Sequence, residues 1–203
     1  MNIAVLACGP SLTKLWTVER SADYDLIVGV NTAGWLFPVD WLAFTDTHII
    51  DPIRAGVHAQ PLIGYITNKG QAVPSDRARL LLPLYHRDLD FLTPELRKLA
   101  ESQGMTECAY TFPNALHVAQ QWADGGKIDV FGFDCAMQQK DAAGQDGYHS
   151  RKRWLTELPW IKSQWRPNCT AISYVNPIIA NWLDDRAAWS CVEALFAPPA
   201  RTP

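Results

Sequence analysis

The stretch Ile3-Ala-Val-Leu-Ala-Cys-Gly-Pro-Ser-Leu12 constrains the fold more than any other, because an apolar run halts at Gly-Pro-Ser and the chain then resumes with helical spacing. Strand, tight turn and helix in that order form the opening unit of an α/β domain. Gly9 lets the backbone approach a ligand closely or take a positive φ, while Pro10 has a preset φ and no N–H, which suits a first helical turn. The free N–H groups of the new helix and the Ser11 hydroxyl would face an anion beyond the strand, for which a phosphate is the natural guest. The same junction also occurs in α/β proteins that bind nothing there. It is not a P-loop, since no Gly-Lys-Ser/Thr follows, and the spaced glycines of a GxGxxG fingerprint are absent.

The pattern recurs along the chain. Leu26-Ile-Val-Gly-Val-Asn31 is a second apolar run with a polar end, and Asp40-Trp-Leu-Ala-Phe-Thr-Asp46 is a third that finishes in Thr45 and Asp46. Ile128-Asp-Val-Phe-Gly132 exits through Phe133-Asp134, and Thr170-Ala-Ile-Ser-Tyr-Val175 leads into Asn176-Pro177. One further strand is expected at 62–67 within an otherwise irregular, proline-punctuated stretch from 51 to 107. Helices are expected at 12–19, at 94–103 behind a Thr93 N-cap, at 114–122 before Gly125-Gly126, at about 151–165 with a break or end at Pro159, and from 178. In a parallel open sheet the carboxyl ends of such strands share one edge, where ligands bind.

These elements predict a single α/β domain of Rossmann-like type with a mostly parallel sheet over residues 1–196. A mobile loop is expected around 135–148, and a disordered tail at 197–203. A chain of 203 residues, 48% apolar and 19% charged, can bury one substantial core. Its net charge of −3 argues against broad electrostatic binding to nucleic acid or to an anionic membrane. The five cysteines are widely spaced and odd in number, which makes a zinc site or a disulfide framework an unpromising reading. The apolar run 3–8 is too short for a signal peptide, and no segment has the length of a membrane helix, so a soluble cytoplasmic protein is expected.

His149 stands out among the residues that could carry chemistry, because it follows a glycine-containing polar loop and precedes Arg151, Lys152 and Arg153. Neighbouring cations favour a neutral imidazole, the form a general base needs, and they suit an anionic substrate. A solvated loop histidine before an ordinary basic helix start is the competing interpretation. Asn31 at a strand end would need partners for a buried amide, and a base or sugar can supply them. Asp134 would orient a ribose or base, or cap its turn; Asp46 would hold Mg²⁺ or accept from a ligand hydroxyl, with capping again the plainer role. His48 and His58 fit no metal-ligand spacing, and His86 and His117 read as structural. Of the nine tryptophans, Trp35, Trp41, Trp154, Trp160 and Trp165 would serve as a sugar platform, as core, or as an interface between copies in a homo-oligomer.

Several separated pieces of this chain resemble the bacterial sialyltransferases that use CMP-sialic acid, and the related enzymes similar to the archaeal 6-hydroxymethylpterin diphosphokinase. Ala7-Cys-Gly-Pro-Ser-Leu12 is similar to the family's Gly-Asn-Gly-Pro-Ser-Leu loop, and Val30-Asn31 to the Cys-Asn ending its second strand. Lys127-Ile-Asp-Val-Phe-Gly-Phe-Asp134 resembles the strand ending Gly-Ile-Asp, and Tyr148-His149-Ser150 a Gly-His-Ser. The resemblance implies a sialyltransferase-like variant of the GT-A fold. It implies a nucleotide held by Gly9, Pro10, Ser11 and Asn31, with Cys8, Thr45 and Asp46 in the same loops and Asp134 nearby. It further implies that His149 deprotonates the acceptor hydroxyl, and that no metal is required. Tyr148, Arg151 and Arg153 are then candidates to stabilise the leaving phosphate.

The chain departs from that pattern at Cys8, where the family has Asn, at Thr45-Asp46, where it has Asn-Pro, and in a shorter 134–149 segment without paired lid tyrosines. The expected function is therefore transfer of a sugar from a CMP- or UDP-type donor to an unidentified acceptor. Two alternatives stand beside it. One is Mg²⁺-dependent diphosphate transfer from ATP to a pterin-like alcohol, with Asp46 or Asp134 on the metal; the other is a nucleotide-binding or assembly protein without chemistry.

Overall fold

Strand β1 (Ile3–Leu6) is hydrogen-bonded in parallel on both sides, to β2 (Leu26–Val30) and to β8 (Lys127–Phe131), and this central placement explains why its four residues are all apolar and fully buried. The computed structural model describes residues 1–67, 70–74, 76–81, 87–88, 94, 98, 107–108, 111–133, 141–145 and 171–174. Within them, β3 (Trp41–Phe44), β4 (Gly64–Thr67) and β5 (Ala78–Leu81) extend the sheet beyond β2, and β9 (Ala171–Tyr174) extends it beyond β8. The order is β5-β4-β3-β2-β1-β8-β9, with every pair parallel. A separate antiparallel pair joins β6 (Arg87–Asp88) to β7 (Glu107–Cys108). This is an α/β architecture compatible with a Rossmann-like fold.

The strand order runs outward from β1 to β5, then returns to place β8 on the other side of β1. The point of reversal lies between β1 and β8, and in open parallel sheets the crevice beyond the strand ends at such a point is the usual ligand site.

Side chains alternate across the sheet. Ile3, Val5 and Ala7 join Val28 and Val130 beneath helix α4 (Thr111–Ala123), whose Ala115, Val118 and Ala119 are fully buried against them. Ala4, Leu6 and Cys8 face the opposite layer, with Leu42, Phe44 and Tyr65 on the sheet. That layer is built from the short helices α1 (Leu12–Leu15), α2 (Ala33–Leu36) and α3 (Asp51–Arg54). The helix expected at 12–19 ends at Leu15. Trp16 takes an extended conformation, its buried ring meets Phe131 edge-on at 4.9 Å, and a 3₁₀ turn, Val18–Asp23, follows.

Below the sheet's amino edge, Tyr24 donates a 2.8 Å hydrogen bond to Asp129 Oδ2, which also receives Lys127 Nζ at 2.7 Å. Asp129 is only 6% exposed, so these two partners replace the water it lost. Burial, with the Asp129 carboxylate beside it, holds the Tyr24 hydroxyl well above the usual phenol range.

Tyr65 is fully buried, and its hydroxyl has no hydrogen-bond partner among the described residues. Burial pushes its pKa up as well. Both phenols therefore hold their protons more tightly in the folded chain than in the unfolded one, where the value is about 10. Their contribution is intact below that value and is lost as pH rises through the folded values, so the protein is expected to lose stability on the alkaline side. Tyr65→Phe removes an unpartnered buried hydroxyl and is expected to raise stability by about 1 kcal/mol in urea unfolding. A loss of similar size would show that the hydroxyl has a partner in solution.

Candidate functional site

The loops that leave β1, β2 and β3 stand side by side at the carboxyl edge of the sheet. The β1 exit is locked to the β8 exit: Ala7 N donates to Phe131 O at 2.8 Å, and Gly9 N donates to Gly132 O at 2.7 Å. Gly132 has φ +68, and a Cβ there would lie 2.4 Å from Ala7 O and 2.8 Å from Leu12 Cβ. Glycine at this position thus lets the two loops close on each other. Gly9 O accepts from Leu12 N, and Ser11 O from Lys14 N and Leu15 N, which starts α1 directly beyond the turn. Pro10 and Ser11 are half-buried at this rim. Cys8 contributes its backbone here, because its side chain lies fully buried in the layer containing Leu12 and Phe131.

Asn31 ends β2 with φ 50, a left-handed conformation that asparagine tolerates better than most residues. Its N–H donates to Ala43 O at 2.8 Å, and its carbonyl accepts from Gly34 N at 3.3 Å. The side-chain Oδ1 is buried and has no partner among the described residues. A buried acceptor without a donor is unusual, and at a strand end it marks a place where a ligand could supply one.

On the next strand, Thr45 Oγ1 and Thr111 Oγ1 share a 2.7 Å hydrogen bond, which ties the β3 exit to the first residue of α4. Phe112 stacks on Phe133 at 4.3 Å, joining the same helix to the β8 exit. Asp46 is exposed; it sits at the N-cap position of the 3₁₀ turn Thr47–Ile49, but its carboxylate makes no capping bond there. With neighbouring strands about 4.8 Å apart, the exits of β8, β1, β2 and β3 span about 15 Å, enough for a nucleotide laid across them.

Gly9, Pro10, Ser11, Asn31, Thr45 and Asp46 therefore share one edge of the sheet, as their positions at strand ends predict. Asp134, Tyr148, His149, Arg151 and Arg153 lie outside the described residues, as do Trp154, Trp160 and Trp165. His48 is exposed, His58 stacks on Trp35 at 4.9 Å, and His117 lies 3.2 Å from Gln121 along α4. An apolar recess lined by Trp16, Val18, Ile27, Pro38, Val39 and Leu62 opens at the opposite, amino edge, away from these groups.

No protein-family model, curated protein or solved structure matches the chain.

The sequence reading missed Thr111, Gly132 and Asp141, and it placed Thr32 only as part of the polar strand end Asn31-Thr32. Thr32 is 3% exposed and donates its hydroxyl hydrogen bond to Asp141 Oδ2 across 109 positions of sequence. Nothing local signals that pairing, since Asp141 sits in a polar run that reads as plain loop. Chemically the edge offers hydroxyls, backbone groups and the Asn31 amide acceptor, with carboxylates at Asp46 on the rim and at Asp141, buried against Thr32. Among the described residues no helix is long and apolar enough to cross a membrane.

Proposed function

We propose that the chain is a glycosyltransferase of sialyltransferase-like fold that uses a nucleotide-activated sugar of CMP or UDP type and needs no metal. The observation that supports this reading is Asn31: a left-handed strand-end residue with a buried, unpartnered Oδ1, next to the Gly9-Pro10-Ser11 turn at the switch point of the sheet. An orphaned acceptor calls for a donor. A phosphate oxygen is not one, whereas a base amine or a ribose hydroxyl is. The nucleoside accordingly belongs at Asn31, and the phosphate at the Gly9-Pro10-Ser11 turn and the start of α1.

In this reading His149 takes the proton of the acceptor hydroxyl as its oxygen attacks the anomeric carbon. The bond from that carbon to the phosphate oxygen breaks, and its electron pair leaves with the nucleotide. Tyr148, Arg151 and Arg153 stabilise the charge that develops there, and Asp134 helps to orient the nucleoside. The acceptor is a hydroxyl compound.

Asn31→Gly tests the nucleoside position without disturbing the backbone, because glycine adopts positive φ freely and only the amide is lost. CMP affinity, measured by calorimetry without Mg²⁺, is expected to fall by about tenfold, the equivalent of one hydrogen bond. Unchanged affinity would remove the nucleoside from Asn31. The second reading, Mg²⁺-dependent diphosphate transfer from ATP, draws on the exposed and uncapping Asp46 carboxylate, which is free to meet a metal ion beside Thr45. In that case Asp46→Asn would abolish Mg²⁺-dependent ATP binding and leave CMP without affinity.

A further inference from the structure

Residues 141–145 form a closed turn seated on the strand ends. Asp141 N donates to Gln145 O at 3.0 Å, Gly144 N to Asp141 O at 3.0 Å, and Gln145 N to Asp141 Oδ1 at 2.8 Å. Gly144 has φ +79, which lets the turn close. One carboxylate oxygen of Asp141 thus holds the turn together, and the other leaves it to accept from the Thr32 hydroxyl at the β2 exit. A second anchor, 2.9 Å from Ala142 N to Cys8 O, fixes the turn to the β1 exit, and Ala142 packs on the layer below. Asp141 is 6% exposed.

The turn therefore bridges the ends of two adjacent strands, one residue before Gly9 and one residue after Asn31. These are the groups that the proposed function assigns to phosphate and nucleoside. The carboxylate also places a buried negative charge where an anionic ligand would arrive, and at a separation of about 4 Å two like charges repel strongly in a partly desolvated site. The Thr32 hydroxyl, one residue after Asn31, is thereby occupied by the chain's own carboxylate.

We infer that residues 141–145 are a gate that closes the strand-end crevice from within, and that it lifts, parting Asp141 from Thr32 and Ala142 from Cys8, before a nucleotide phosphate can enter. The inference rests on the nucleotide reading of the edge. The apparent affinity of wild type is lowered in proportion to the fraction of molecules with the gate open.

Thr32→Val and Asp141→Ala test the gate. Thr32→Val is the sharper variant: it removes the anchor while the hydrogen bonds inside the turn, which use Asp141 Oδ1 and the backbone, stay in place. Amide hydrogen exchange at Ala142 is expected to speed up by about tenfold or more in both variants, with the β1 and β2 amides unchanged, as for a local opening. CMP is expected to bind both variants about fivefold more tightly than wild type, or tighter still.

Weaker CMP binding by the variants would overturn the gate, because the turn would then complete the site rather than block it. Unchanged exchange at Ala142 would overturn it too, since the Thr32 contact would hold nothing down. If exchange accelerates but no nucleotide binds wild type or variant, the nucleotide reading fails and the gate falls with it; that outcome differs from the other two in having no ligand at all.

Discussion

Gly132→Ala is expected to destabilise the protein by about 3 kcal/mol, combining the cost of a left-handed alanine with that of forcing a methyl group into a closed contact. The methyl carbon would stand 2.4 Å from Ala7 O and 2.8 Å from Leu12 Cβ, neither of which can retreat without moving β1 or α1. For a chain of this size the midpoint of thermal unfolding should fall by about 6–12 °C. Gly56→Ala is the control: φ is +75 there as well, but a Cβ meets nothing within 4 Å, so only the conformational cost of about 1 kcal/mol applies. Equal losses at the two positions would show that the β1 and β8 exits are not in tight contact. Because Gly132 O accepts from Gly9 N, the same substitution should weaken nucleotide binding in the molecules that remain folded.

His149→Ala is expected to lower sugar transfer by about 10²–10⁴-fold, the usual range for loss of a positioned general base, and to leave CMP affinity unchanged. The split between the two readouts carries the test. A fall in affinity matching the fall in turnover would make His149 a binding residue, and undiminished turnover would assign the base elsewhere. Comparison of single-turnover rates with calorimetric affinity for wild type and variant separates these outcomes.

The central sheet was legible in the sequence because β1, β2, β3 and β8 are short apolar runs that leave the core through a polar or glycine residue. That pattern is what a parallel strand buried on both faces requires. The same polar exits marked the carboxyl edge of the sheet, since Gly9-Pro10-Ser11, Asn31 and Thr45-Asp46 follow the last residue of each strand. β4 was also foreseen at 62–67 and runs from Gly64 to Thr67. β9 falls inside the expected run at 170–175, and α4 contains the expected 114–122 while starting earlier, at Thr111.

The short helices α2 and α3 and the strand β5 were not foreseen. Four-residue elements such as Ala33–Leu36 complete barely one turn, too little for a periodic pattern to register, and they owe their shape to packing on the sheet. Leu12–Leu15 ends sooner than its spacing suggests: Trp16 turns to an extended conformation and its buried ring meets Phe131. Thr32 with Asp141 and Thr45 with Thr111 were invisible for a different reason. Each links residues far apart in sequence, and hydroxyl-bearing residues at strand and helix ends carry no local mark of which partner they will meet.

Calorimetric titration of the protein with CMP, UMP, GMP and ATP, each with and without Mg²⁺, decides whether a pyrimidine nucleotide binds at the carboxyl edge without metal. Binding of CMP or UMP that is indifferent to Mg²⁺ is the predicted result. Binding of ATP alone, and only with Mg²⁺, would contradict it in favour of diphosphate transfer, and silence with all four would contradict nucleotide binding itself.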